Sequence, residues 1–178
     1  MVNINHIKTN PVGLDAVIQQ MQTGLFEYLT TKWQGAFQGF GRANRNAKDN
    51  ETPVPEWFNG TGFTPVYFDD NYAVNMFFTD DQTHETKDGF LFDAKVKVCF
   101  MMNLEKALPG YLHSPDEEAH KTVVGWLNQF TDGQITAIAD GVDAVFLGWD
   151  KRGIKFNDIH PYHTFCVKMN VQYYLTEC

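Results

Sequence analysis

An alternation of apolar and polar side chains in the middle of the chain places the strongest constraint on the fold. Every second residue from Phe92 to Met102 is apolar. The positions between them are charged in the first half: Asp93, Lys95 and Lys97. Successive side chains of a β-strand point to opposite faces, so this segment predicts a long strand with one buried face. Cys99 and Met101 interrupt the polar series and indicate that the second half is covered on both faces.

A second alternating segment predicts a closing strand. Apolar and aromatic residues occupy every second position from Phe165 to Leu175, and they alternate with Thr164, Lys168, Asn170, Gln172 and Thr176. The two faces therefore differ chemically. We expect one face to pack against helices and the other to face water or another chain.

Three segments show the three- and four-residue spacing of amphipathic helices. The first runs from Leu14 to Lys32, although Gly24 is unfavourable inside a helix. Ser114-Pro115-Asp116-Glu117 has the pattern of a capping box with proline in the first turn, and it predicts a second helix ending near Asp132-Gly133. Apolar residues between Ile135 and Phe146 predict a third, shorter helix.

The first half of the chain also contains a predicted hairpin and a predicted loop. Residues 64–81 hold two aromatic and β-branched runs around Asp69-Asp70-Asn71, which favours a hairpin with an Asx-rich turn. Residues 35–62 are dense in Gly, Asn and Pro and show no periodicity, so we predict a long loop or arm there. A structureless segment of this length tends to be functional or disordered.

The order of these elements defines the predicted fold class. A helix, a long loop, three or four strands, two helices and a final strand indicate an α+β fold. We predict an antiparallel sheet of about four strands with two or three helices packed on one face. The 178 residues fit a single domain.

Composition argues against several classes of protein. Twenty-two acidic residues against 14 basic ones give a net charge of -8, which disfavours capture of duplex DNA or an anionic membrane by charge alone. The three cysteines, Cys99, Cys166 and Cys178, form no CxxC pair, and their odd number disfavours a disulfide framework. We therefore expect a reducing compartment. Neither a secretion signal nor a membrane-spanning run is expected from the sequence.

The histidines give no clear catalytic signal. His160 and His163 form the one close pair, but Pro161 favours an extended backbone, in which this spacing does not bring two rings to one metal ion. We interpret the pair as the start of a strand, with a metal or catalytic site as the alternative. His113 and His120 are expected on the surface, and His84 in a solvated, acidic hairpin tip.

Motifs for catalysis are also missing from the sequence. It contains no GxSxG, Walker loop, HExxH or GxGxxG pattern, and no base can be assigned to a cysteine nucleophile. We therefore predict a protein that is not an enzyme, with no catalytic, cofactor-binding or metal-binding residues. The remaining candidates are contact residues of the loop: Arg42, Arg45, Trp57 and Phe58.

Exposed aromatic residues in a flexible arm are typical of assembly contacts. The alternative is that Trp57 and Phe58 fold back onto their own core. We predict that deletion of Arg42 through Trp57 leaves a folded chain that assembles poorly; loss of cooperative thermal unfolding would instead show that the loop belongs to the core.

Several segments together resemble the tail-terminator and neck ring (connector) proteins of tailed phages. They are the N-terminal helix, FDAKVKVCF, SPDEEAHKTVVGWLNQF, ITAIADGVDAVFLGWD and DIHPYHTFCVKMNVQYYL. The resemblance lies in architecture and pattern, and it covers most of the chain except residues 35–62.

This resemblance implies a virion protein that assembles in the host cytoplasm into a six- or twelvefold homo-oligomeric ring. Portal, adaptor or tail proteins would be its neighbours, and DNA would pass through without specific binding. It implies no cofactor and no membrane. An acidic lumen repels phosphates, which agrees with the net charge of -8.

Two hypotheses from other classes stay open. A small α+β enzyme or ligand-binding domain would use His160 and His163. A carbohydrate-binding module is suggested only by the four tryptophans.

Overall fold

The computed structural model describes residues 2–47, 51–86 and 88–175. Within these ranges the chain forms nine strands and four helices. The strands are β1 (Ile4–His6), β2 (Phe37–Arg42), β3 (Asn44–Asn46), β4 (Val54–Phe58), β5 (Phe63–Pro65), β6 (Val74–Thr86), β7 (Leu91–Asn103), β8 (Gly133–Asp140) and β9 (Tyr162–Tyr174). The helices are α1 (Leu14–Lys32), α2 (Leu104–Ala107), α3 (Pro115–Leu127) and α4 (Val142–Val145).

Six strands form one mixed sheet in the order β1-β2-β6-β7-β9-β8. β2 lies parallel to both β1 and β6, and the remaining pairs are antiparallel. β3, β4 and β5 form a separate antiparallel sheet. The α+β class is confirmed, but the predicted antiparallel sheet of about four strands is wrong in strand number and in orientation.

α1 and α3 pack on one face of the large sheet, as expected from their apolar stripes. They contact the apolar side chains that alternate along β7 and β9, such as Val98, Phe100 and Val167. α1 has the predicted bounds, whereas α3 ends at Leu127, before the predicted end. Ser114 is the N-cap of α3, but its side chain makes no capping hydrogen bond, so the predicted capping box is not formed.

The opposite face of the sheet carries a second apolar core. Here Phe77, Cys99 and Cys166 lie beneath the small sheet and the segment that contains α4, which contributes Phe146 and Trp149. Cys99 and Met101 are buried, as expected for a strand half covered on both faces. Cys178 lies outside the described residues.

The prediction of a long loop at residues 35–62 is wrong, because the segment contains β2, β3 and β4. β2 lies inside the large sheet between β1 and β6 and is mostly buried, so its sequence shows no alternation of apolar and polar residues. Deleting Arg42 through Trp57 would remove β3 and most of β4. The expectation that such a chain stays folded therefore no longer holds.

The predicted third helix is largely a strand, β8, followed by the single turn of α4. A bulge between Ile135 and Ala137 adds one residue to β8. Ile135 therefore pairs with Met169 and Ile138 with Val167, on the same face of the sheet. Two apolar residues three positions apart thus share a face, which is the spacing of a helix.

The hairpin predicted for residues 64–81 is also wrong, because β6 pairs with β7 and with β2 instead. Its Asx turn is present: the backbone N–H of Asn71 donates to Asp69 Oδ1 at 3.1 Å. Among the described residues, no helix is long and apolar enough to cross a bilayer.

Candidate functional site

The two ends of the large sheet are open strand edges. β1 ends the sheet on one side and β8 on the other. β8 is eight residues long, and its sequence, GQITAIAD, contains neither lysine nor proline and has its only charge at Asp140. Natural proteins usually protect such edges with lysine, proline, a β-bulge or a covering segment. Of these devices β8 has the bulge between Ile135 and Ala137 but neither lysine nor proline, so its edge is only partly protected against pairing with another chain.

Exposed apolar side chains surround both edges. On β8 this is Ile138, with 41 % of its surface exposed, and in the following segment Leu147 and Ile159 are 72 % and 69 % exposed. On β1 and in the residues next to it along the chain they are Val2, Ile4, Ile7 and Val12.

β1 is fixed to the rest of the chain at its base. The buried Gln22 of α1 donates from Nε2 to Asn5 Oδ1 at 2.6 Å and to the His6 carbonyl oxygen at 2.9 Å. The ring of His6 stacks on Phe40 of β2, with the centroids 4.4 Å apart. The edge that β1 presents is therefore held in place, which favours binding of a partner.

A cationic groove of about 600 Å³ lies on the face of the sheet opposite α1 and α3. Four basic side chains line it, Arg45, Lys95, Lys97 and Lys168, together with the carboxylates of Asp80 and Asp81. Lys97 of β7 stands directly opposite Lys168 of β9, a position in which like charges destabilise a sheet. Lys97 Nζ donates to the Ala144 carbonyl oxygen at 3.0 Å.

The four predicted contact residues separate into two groups. Arg42 is tied inside the chain, where its Nε donates to Asp15 Oδ1 at 2.7 Å and its Nη1 lies 3.5 Å from Asp80 Oδ2. Arg45 is exposed at the cationic groove, with its guanidinium 4.7 Å from the ring centre of Trp149. Only Arg45 of the two is available to a partner.

The aromatic pair divides in the same way. Trp57 is only 5 % exposed and packs in the second core beside His6 and Phe40. Phe58 is 36 % exposed and packs on Phe63, with the ring centres 4.8 Å apart. Trp57 thus folds back onto its own core, whereas Phe58 is left at the surface.

The structure gives the histidines other partners than the sequence suggested. His160 is exposed and lies 3.3 Å from Glu105 Oε1, whereas His163 lies against His120 of α3 and Asp140 of β8. His120 is 8 % exposed, so its expected surface position is wrong. Burial, followed by the neighbouring His120, lowers the pKa of His163.

His84 lies within β6, and the expectation of a solvated hairpin tip is wrong for this residue. Its Nδ1 is 2.5 Å from the Tyr173 hydroxyl and its Nε2 is 3.0 Å from Asp80 Oδ2. The ring therefore joins β6 to β9 and serves the packing of the sheet.

The two described cysteines carry no sign of reactivity. Cys99 and Cys166 face each other across β7 and β9. Both are buried, and burial raises the pKa of each thiol, that of Cys99 strongly. A thiol held in its protonated form is a poor nucleophile.

The chain was compared with protein-family models, with curated proteins and with solved structures, and no match was found. Its function is therefore argued from the edges, the charges and the packing described above.

Proposed function

We propose that this chain is a structural protein of a tailed-phage virion that forms a homo-oligomeric ring at the neck, as a tail terminator or a head–tail connector. The observation that supports this best is the pair of open edges, β1 and β8, at opposite ends of one sheet. The resemblance to phage ring proteins in the sequences and order of α1, α3 and β9 adds to this support.

A ring needs two different surfaces on each subunit, because head-to-tail contacts repeat one heterologous interface around a closed circle. β8 of one copy beside β1 of the next would continue the sheet from subunit to subunit. This contact would cover the exposed Ile138 on one side and Ile4 on the other. Backbone hydrogen bonds would supply the affinity and the side chains at alternate positions the specificity.

The charge of the chain fits passage of DNA without binding. A net charge of -8 opposes retention of a polyanion, and ring assembly multiplies this charge around the lumen. The proposal includes six- or twelvefold symmetry and contact with portal, adaptor or tail proteins. The chain would assemble in the host cytoplasm and then remain in the virion.

The contacts of His160 and His163 do not support the competing hypothesis of an enzyme or ligand-binding domain built on these two residues. The two side chains have different partners, since His160 contacts Glu105 and His163 contacts His120 and Asp140. Neither lines a deep cleft with the other.

The experiment is a measurement of particle mass by native mass spectrometry, with negative-stain imaging of the same sample. We expect the wild-type chain to form closed rings and Ile138→Lys to shift the population to monomers, because a charge on β8 opposes edge pairing. Phe90→Lys is the matched control: it also replaces an exposed apolar residue by lysine, but in the turn between β6 and β7. A wild-type chain that stays monomeric at high concentration, or that stops at a two-fold dimer, contradicts the proposal.

A further inference from the structure

We propose that His120, His163 and Asp140 form a binding site for one divalent transition-metal ion, with Zn²⁺ as the best-matched ion. The inference does not depend on the proposed ring, since the three residues belong to a single chain. It assigns a role to a cluster that comes from three elements, α3, β9 and β8.

The three candidate ligand atoms converge on one point. His120 Nε2 lies 3.1 Å from His163 Nε2 and 3.0 Å from Asp140 Oδ1, and His163 Nε2 lies 3.8 Å from Asp140 Oδ1. A triangle with these sides has its centre about 2 Å from each corner, which is the bond length of Zn²⁺ to imidazole nitrogen and carboxylate oxygen. An ion slightly above this triangle would keep a fourth position for water.

Hydrogen bonds alone do not satisfy this arrangement. When both imidazoles are neutral, an N–H at His120 Nε2 points either to His163 or to Asp140. The other of these two short contacts is then left without a hydrogen directed along it. A divalent cation at the common centre would accept an electron pair from all three atoms at once.

The fold holds the ligands in place before any ion binds. Phe165, which is fully buried, packs against both imidazoles, with ring centres 4.6 Å from His120 and 5.3 Å from His163. Asp140 is paired directly opposite Phe165 across β8 and β9. A hydrophobic shell around a metal site controls its dielectric and the access of solvent to the ion.

The chain is also fixed immediately after Asp140. Gly141 has a φ of 96°, which lets β8 end in a tight turn, and its N–H donates to the Thr164 carbonyl oxygen at 2.7 Å. The next N–H, of Val142, donates to Asp158 Oδ2 at 2.7 Å. These bonds prevent the carboxylate of Asp140 from moving away with a frayed strand end.

Two further carboxylates belong to the surroundings of the cluster. Asp158 lies near Asp140, since its Oδ2 accepts from the N–H of Val142, two residues after Asp140. Asp116 stands one turn before His120 in α3, so it lies on the same face of the helix.

An ion can reach the site from solvent. Asp140 has 59 % of its side chain exposed, in contrast to 10 % for His120 and 15 % for His163. An open pocket of about 500 Å³, lined in part by Asp140, Asp143 and Asp158, adjoins the carboxylate. The open position of the ion would therefore face water on the Asp140 side.

The test is calorimetric titration of the untagged full chain with ZnCl₂ after removal of metals by a chelator. Co²⁺ serves as a second probe, because its visible absorption reports nitrogen and oxygen ligation. We expect one ion for each chain and a rise in melting temperature with Zn²⁺. Asp140→Asn and His163→Gln should each weaken binding by at least about tenfold.

His160→Gln is the matched control, because this histidine lies three residues from His163 but contacts Glu105 instead. It should bind Zn²⁺ as the wild type does. Absence of stoichiometric Zn²⁺ binding by the wild-type chain overturns the inference. It is also overturned if His160→Gln loses as much affinity for Zn²⁺ as His163→Gln does. If His163→Gln fails to fold, Zn²⁺ binding by Asp140→Asn provides the test, because this substitution alters a largely exposed side chain. Binding by a monomeric chain supports the metal site while counting against the ring.

Discussion

Gly24 of α1 lies against the indole ring of Trp126 in α3. A Cβ atom at Gly24 would be 2.5 Å from Trp126 Cζ2, closer than two carbon atoms can approach without a shift of one of them. Glycine in a helix interior costs about 1 kcal/mol relative to alanine, so its presence in α1 needs a reason. The reason is the close packing of the two helices.

Gly24→Ala is therefore expected to lower the free energy of unfolding by up to about 2 kcal/mol. Overpacking a contact of this kind costs about 1–3 kcal/mol, which exceeds the gain in helix propensity. Gly125→Ala is the control, because a Cβ at Gly125 in α3 would have no atom within 4 Å. It should raise stability by up to about 1 kcal/mol. Urea unfolding of both variants measures the difference, and equal stabilisation by the two would show that Trp126 yields freely.

Trp57 and Phe58 are neighbours in β4 with opposite environments. Truncation of the buried residue should therefore lower the free energy of unfolding more than truncation of the exposed one. Trp57→Ala is expected to cost about 3–5 kcal/mol, because a large side chain is removed from the second core. Phe58→Ala should cost about 1 kcal/mol, because Phe58 is partly exposed and loses chiefly its contact with Phe63. Guanidinium unfolding provides both values.

A loss of similar size in the two variants would contradict the burial of Trp57. Deletion of Arg42 through Trp57 extends the same test. We now expect this deletion to abolish cooperative thermal unfolding, because Trp57 and Ala43 are both part of the second core.

The free energy of unfolding depends on the ionisation of Tyr67 at alkaline pH. Burial, followed by the negative charge of Asp150, raises the pKa of Tyr67 to about 12. Its hydroxyl donates to the Asp150 carbonyl oxygen at 2.6 Å, a bond that requires the protonated form. Because the pKa of tyrosine in the unfolded chain is about 10, this contribution is complete below about pH 10 and is lost as the pH rises towards about 12.

The measurement compares the wild type with Tyr67→Phe, which lacks the ionising group. Between about pH 10 and pH 12 the free energy of unfolding should fall more steeply for the wild type. All other titrating groups are common to both chains and cancel in the difference. Parallel slopes would mean that Tyr67 ionises as it does in the unfolded chain.

The sequence predicted the elements whose side chains face two different environments. α1, β7 and β9 each have one face on a core and another that is at least partly polar, so their periodicity is visible. β2 was missed because its glycines resemble those of a loop. A Cβ at Gly39 would lie 2.9 Å from Phe26 of α1, so this glycine permits a close approach of helix and strand.

The histidine cluster could not be predicted from spacing along the chain. His163 attracted attention because of His160, but its partners are His120 and Asp140, which are distant in sequence. Their contact depends on β8 lying beside β9 and on α3 packing over that pair. A prediction that made residues 135–146 a helix could not place Asp140 there.

The position of β9 in the sheet has a consequence for synthesis of the protein. β9 is the last of the described strands to be translated, yet it lies between β7 and β8. Until the ribosome has passed Tyr174, the nascent polypeptide carries a long β7 with one side unpaired and a β8 with no neighbour at all. Such intermediates are prone to aggregate, so the interval before the arrival of β9 is when this protein most needs a chaperone.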